Sequence, residues 1–94
     1  MSQTTIDLPF VKVLGLRLAQ IQDHFRFSPA KMAQVMDISK DTYFKNKKGA
    51  HLPSIPALME LDKDLDISLD WLLFGRGSMF KADNKREEKK DEKQ

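Results

Sequence analysis

Lys40, Asp41 and Lys45 set two cations and one carboxylate within six residues of one another. An ammonium only donates hydrogen bonds and a carboxylate only accepts them, so the trio offers both halves of a recognition code. The residue types that would do other chemistry do not assemble. His24 and His51 are far apart, without cysteine partners or HExxH spacing, so zinc is not expected. Asp62, Asp64 and Asp66 alternate as in a calcium loop. Counting Asp62 as position 1, however, places Ile67 where position 6 needs glycine and Leu73 where position 12 needs glutamate. These acids are expected to solvate a face of the domain. There is no glycine-rich phosphate loop and no GxSxG elbow. The pattern points to recognition without bond making: no enzyme, no metal and no cofactor.

The trio sits in SPAKMAQVMDISKDTYFKNKKG, from Ser28 to Gly49. Ser28 suits an N-cap and Pro29 the first helical position. Met32, Val35 and Met36 follow at helical spacing, and Asp37-Ile38 makes a short connection. Ser39 is a second N-cap, Tyr43 the apolar anchor of the helix it starts, and Gly49 its stop. Two helices joined by so short a turn pack steeply, as in the DNA-binding helix-turn-helix. In that unit Lys40, Asp41 and Lys45 fall where side chains are presented to DNA.

Three further helices frame the unit. One starts near Asp7-Leu8-Pro9, with Pro9 in its first turn and Val11, Leu14, Leu18, Ile21 and Phe25 as its apolar stripe. After Pro53, Ser54 caps a helix whose buried side is read as Ile55, Leu58, Met59, Leu61 and Leu65. Ser68 caps a short last helix in which Leu69, Leu72 and Leu73 pack inward, ended by Gly75 and Gly77. No segment alternates with period two for long, so the fold class is all-α. Residues 1–7 read as a flexible lead-in, 8–81 as the domain, and 82–94 as a disordered tail. That tail, ADNKREEKKDEKQ, holds five basic and five acidic residues and almost nothing apolar to offset its ordering entropy.

At 94 residues and 40% hydrophobic content the chain supports one modest core. It has no cysteine, which excludes disulfides and fits a reducing compartment. MSQTTIDLPF has no charged n-region before a long apolar stretch, and Trp71-Leu72-Leu73-Phe74 is far short of the roughly 18 apolar residues of a membrane span. A cytoplasmic protein with no membrane association is expected. Net charge is only +2, but it is unevenly placed. Between His24 and His51 stand Arg26, Lys31, Lys40, Lys45, Lys47 and Lys48 against Asp37 and Asp41. Between Glu60 and Asp70 stand Glu60, Asp62, Asp64, Asp66 and Asp70 against Lys63. Such polarity orients a small domain toward a polyanion.

Two stretches together resemble the phage-repressor and Cro-like (XRE-type, lambda-repressor-like) helix-turn-helix family. They are the Ser28 to Gly49 unit with Pro53 after it, and DISLDWLLFGRG, where Asp70-Trp71-Leu72-Leu73 precedes a glycine. The resemblance covers about Val11 to Phe80. It implies a compact five-helix domain with a recognition helix at about 39–47 in the major groove. Carried over by position, Lys40, Asp41, Phe44 and Lys45 would contact bases, and Ser28, Thr42, Lys47 and Lys48 would contact phosphates. Lys40 or Lys45 suits guanine O6 and N7, Asp41 suits cytosine N4, and Phe44 suits a thymine methyl. Ser28 lies where free N–H groups and the helix dipole favour a phosphate. Two departures stand out. Relatives pair an arginine late in the first helix with a glutamate ending the third, where this chain has Gln22 and Lys47. The position after the second helix's N-cap is Pro29 rather than glutamine.

The resemblance implies a prokaryotic or phage-type transcriptional regulator, a repressor. It would act as a homodimer on a palindromic double-stranded operator, with Phe74, Met79 and Phe80 as apolar dimer candidates. The alternative on the same fold is a protein-interaction module, such as the antitoxin of a toxin–antitoxin pair, with Phe44 as a partner contact. Tyr43 and Trp71 are read as core residues, each on the apolar side of its helix.

Overall fold

Among the described residues, serine starts four helices. The computed structural model describes residues 9–84, and its helices are α1 (Phe10–Phe25), α2 (Pro29–Met36), α3 (Lys40–Lys47), α4 (Ile55–Leu65) and α5 (Leu69–Phe74). At the start of α2, α3, α4 and α5 the hydroxyls of Ser28, Ser39, Ser54 and Ser68 accept from the backbone N–H of Lys31, Thr42, Ala57 and Trp71. Each bond satisfies a donor that has no partner inside its helix. Pro29 and Pro56 occupy first turns, where a missing N–H costs nothing. Helix α1 differs from expectation: Pro9 stands outside it as the N-cap residue and no side chain caps it.

The α2–α3 turn is Asp37, Ile38 and Ser39. Asp37 takes the left-handed conformation at φ 61°, which aspartate tolerates better than most residues. The Ile38 N–H then returns to the Ala33 carbonyl, closing the end of α2. Helix α3 packs on both α1 and α2, α2 also packs on α4, and α1 packs on α5.

One core collects Leu14, Leu18 and Ile21 from α1, Met32, Ala33 and Met36 from α2, Tyr43 from α3, Ala57, Leu58 and Leu61 from α4, and Ile67 and Leu72. Trp71 is half-buried against it. The expected stripe of α4 needs correcting. Leu58 and Leu61 are buried and Leu65 partly so, but Ile55 and Met59 stand in solvent. At 100° per residue Ala57, Leu58, Leu61 and Leu65 make one continuous face, and Ile55 and Met59 fall on the other flank.

The chain after α5 is stapled back. Ile67 and Phe80 pair across a single antiparallel bridge, with the Ser68 N–H donating to the Met79 carbonyl at 2.8 Å and the Lys81 N–H to the Asp66 carbonyl at 2.9 Å. Lys81 Nζ reaches Asp62 Oδ1 at 2.6 Å, and the Asp66 carboxylate accepts from the Ala82 N–H. Two of the acids expected only to solvate a face are therefore part of this clasp, and Asp64 remains exposed. A further helical turn runs over 81–84, so the first three residues of the expected tail are helical. The lead-in at 1–7 and the rest of the tail lie outside the described residues. Phe80 meets the rings of His24 and Phe25 at steep angles, and Met79 packs on the core, which leaves Phe74 as the exposed member of the three apolar dimer candidates.

Candidate nucleic-acid interface

Helix α3 divides its side chains cleanly. Tyr43 and Asn46 point inward and are buried, while Lys40, Asp41, Phe44 and Lys45 stand outward. The structure thus brings all four residues expected at base edges onto one exposed face. Lys45 Nζ lies 3.1 Å from Asp41 Oδ2, one turn apart. Both ends of this pair are open to solvent, so it contributes about 0.3–0.5 kcal/mol and opens readily. Phe44 keeps 44% of its surface exposed, its ring tilted against Tyr43.

The hydroxyls expected at phosphates keep a free donor. Ser39 Oγ–H donates to Thr42 Oγ1 at 2.9 Å, leaving the Thr42 hydroxyl proton free to point outward. Ser28 Oγ accepts from the Lys31 N–H at 3.1 Å, and its own proton is likewise unspent. Lys48 is exposed at the C-cap of α3. Lys47 is placed differently. It is half-buried, its Nζ donates to Gln22 Oε1 at 3.0 Å, and it lies 6.0 Å from the centre of the Tyr43 ring.

That bond rebuilds the brace that the sequence lacks. Gln22 Oε1 accepts from Lys47 and also from the Tyr43 hydroxyl at 2.7 Å. One amide oxygen, with its two lone pairs, ties the end of α1 to α3 without an arginine–glutamate pair. Burial pushes the Tyr43 hydroxyl up from 10.0 to about 12, so the phenol stays neutral and keeps donating. A phenol held above its unfolded value contributes stability that is intact below pH 10 and is lost as pH rises toward 12. Thermal unfolding followed from pH 8 upward is therefore expected to be insensitive to Tyr43 until about pH 10 and then to fall. Tyr43→Phe should abolish that part of the alkaline loss.

Gly15 lets α1 approach the end of α3. A methyl group built there would lie 2.9 Å from the Asn46 carbonyl oxygen, and the Lys47 carbonyl oxygen is nearer still. At the same seam Asn46 Nδ2 donates to the His51 carbonyl at 3.0 Å, holding the loop that follows α3.

Sequence reasoning missed Lys12 and counted Lys31 only toward the basic stretch of the chain. Lys12 Nζ rests 3.4 Å from the Lys48 carbonyl, so a cation from α1 joins the basic end of α3. Gly49 makes this possible, because a side chain there would collide with Lys12. Lys31 lies exposed one turn into α2, 5.8 Å from the Phe27 ring centre. Lys12 was visible only as a charge off the apolar stripe of its helix. Nothing local to it signals proximity to a residue 36 positions later. His24 belongs to the aromatic cluster with Phe25 and Phe80, and His51 is exposed in the loop after α3.

A tight two-helix unit, with its second helix seated on a core and its outer face polar and basic, defines a helix-turn-helix DNA-binding domain. Residues 17–80, more than half of the chain, match the family described as the bacteriophage CI repressor helix-turn-helix domain, and the chain belongs to that family. It is accordingly a DNA-binding transcriptional regulator of the helix-turn-helix class. No significant match was found among curated proteins or among solved structures. Among the described residues no helix is long and apolar enough to cross a membrane.

Proposed function

We propose that this protein is a repressor that reads a specific double-stranded sequence as a homodimer, with α3 in the major groove. The observation that carries the reading is the exposed row Lys40, Asp41, Phe44 and Lys45 on a helix fastened from beneath by Tyr43. Lys40 and Lys45 donate to guanine, Asp41 accepts from cytosine, and Phe44 lies on a thymine methyl. A good base contact is worth about 1–3 kcal/mol, more than the Asp41–Lys45 pair it would displace. Ser28, Thr42 and Lys48 hold phosphates, and Lys12 joins them beside Lys48. Lys47 acts chiefly through Gln22. One helix reads too few bases for useful specificity, and a two-fold dimer on a palindromic operator doubles the count.

Selection from a random pool of double-stranded DNA tests this directly. An enriched palindrome with half-sites about one helical turn apart is the expected result. No enrichment from folded protein would overturn it and leave the protein-interaction reading, in which the exposed Phe44 serves a partner.

Substitutions at three lysines separate the roles. Lys45→Ala is expected to relax preference at one base position and to cost about 1–3 kcal/mol on the selected site. Lys48→Ala, and Lys12→Ala with it, should weaken binding evenly across sequences and lower the salt slope by about one each. Fluorescence anisotropy on the selected site and on a one-base variant, at several salt concentrations, distinguishes the two. Even loss on every sequence from Lys45→Ala would remove it from the base-reading set.

A further inference from the structure

Helix α4 and the loop before it leave an apolar stripe uncovered. Leu52, Ile55 and Met59 each expose more than half of their surface. Ile55 and Met59 are one turn apart on the flank that turns away from Leu58 and Leu61. Beside them lies a groove of about 400 Å³ between α4 and the start of α5, lined by Pro56, Met59, Glu60, Asp62, Lys63 and Leu69. Its floor is apolar and its rim carries both signs, with Lys63 Nζ 3.4 Å from Glu60 Oε1. Single exposed hydrophobic side chains need no explanation, but a continuous apolar stripe with a polar rim marks a contact surface.

We propose that this stripe is where two copies of this chain meet; the proposal rests on the homodimer reading above. A two-fold contact requires one patch to complement itself. Here the protruding Ile55 and the groove beside Met59 and Leu69 are knob and hole on a single surface. The rim is equally self-complementary: the Lys63 of one copy can meet the Glu60 of the other. The rim's cations are already matched by its carboxylates, so nothing there draws a phosphate backbone. The stripe also begins at Leu52, three residues beyond the Gly49 that ends the recognition segment. Pairing here therefore couples the two recognition helices through a very short length of chain.

The test is the mass of the full chain by sedimentation over a range of concentrations, for the native protein, Ile55→Glu/Met59→Glu, and the control Leu16→Glu on the exposed side of α1. All three sites are exposed, and circular dichroism with thermal unfolding checks that each variant folds. The double variant is expected to dimerise at least about tenfold more weakly, and Leu16→Glu to match the native protein. Lys63→Glu should weaken the dimer, and adding Glu60→Lys should restore it. A double variant that dimerises as the native chain does overturns the proposal. So does loss of the dimer on Leu16→Glu instead, or a native chain that stays monomeric in solution and on DNA. Because mass is read without DNA, a dimer abolished by the double variant supports the stripe even if no DNA sequence is ever selected, an outcome that would remove only the operator reading. On a selected operator the double variant should bind a lone half-site as the native protein does and lose cooperativity across two.

Discussion

Tyr43→Ala is expected to cost about 4 kcal/mol of folding stability. Tyr43 is fully buried in the core to which α1, α2 and α3 all contribute, and its hydroxyl reaches Gln22 on α1. Truncation removes the apolar transfer of an aromatic ring and leaves a cavity that three helices cannot close without moving. The same change strips the Gln22 oxygen of its 2.7 Å partner. Domains of this size hold roughly 5–15 kcal/mol in total, so the melting temperature should fall on the order of 20 °C. Tyr43→Phe separates the two contributions. It keeps the ring and loses one hydrogen bond, for a cost of about 1 kcal/mol. If alanine and phenylalanine cost the same in urea or thermal unfolding, the ring is not what seats α3. DNA affinity should fall on all sequences alike with Tyr43→Ala, since the change displaces the whole reading face and not one contact on it.

Gly15→Ala is the second large effect, and its sign is the informative part. In an unobstructed helix interior this change stabilises by about 0.5–1 kcal/mol, because glycine is the poorer helix former. Here the new methyl would press on the carbonyl oxygens of Asn46 and Lys47. Those atoms are backbone at the end of α3 and cannot rotate aside as a side chain could. Forcing the helices apart costs about 3 kcal/mol, which outweighs the propensity gain and leaves a net loss near 2 kcal/mol. Thermal unfolding reads the sign. A stabilised Gly15→Ala variant would show that α1 and α3 do not meet as closely as described. The expected variant also binds DNA more weakly at temperatures where it is fully folded, because the seam it opens sets the tilt of α3.

The helices were legible from their beginnings more than from their apolar faces. Four serines, two of them followed within two residues by proline, announce four helices, and all four hydroxyls make the expected backbone bonds. Capping is local chemistry, settled within four residues, so it can be read from the string. The face of α4 could not be read so surely. Ile55 and Met59 match a helical stripe as well as Leu58 and Leu61 do, and only the position of α2 decides which flank is covered. The start of α1 was misplaced for a related reason: Pro9 can serve inside or outside a first turn, and no capping side chain marks the boundary.

The residue types of the proposed reading face came from the sequence alone. Residue spacing on α3 sends Tyr43 inward and Lys40, Asp41, Phe44 and Lys45 outward wherever that helix packs on a core. What supports the face came only from the fold. Gln22 and Lys47 read as a missing pair, yet their side chains meet at 3.0 Å with Tyr43 on the same oxygen. Lys12 lies off the apolar stripe of its helix with no local sign of a role, yet it stands at the basic end of α3. By itself the sequence determined helices α2 to α5, their serine caps, the helix-turn-helix and the polarity of its outer face, because each depends on neighbours within a turn or two. Tertiary structure decided which lysine braces and which stays free, which acids clasp Lys81, and which leucines, isoleucines and methionines remain in water. Those outcomes depend on contacts between residues many positions apart, and local periodicity carries no information about which helix will lie opposite.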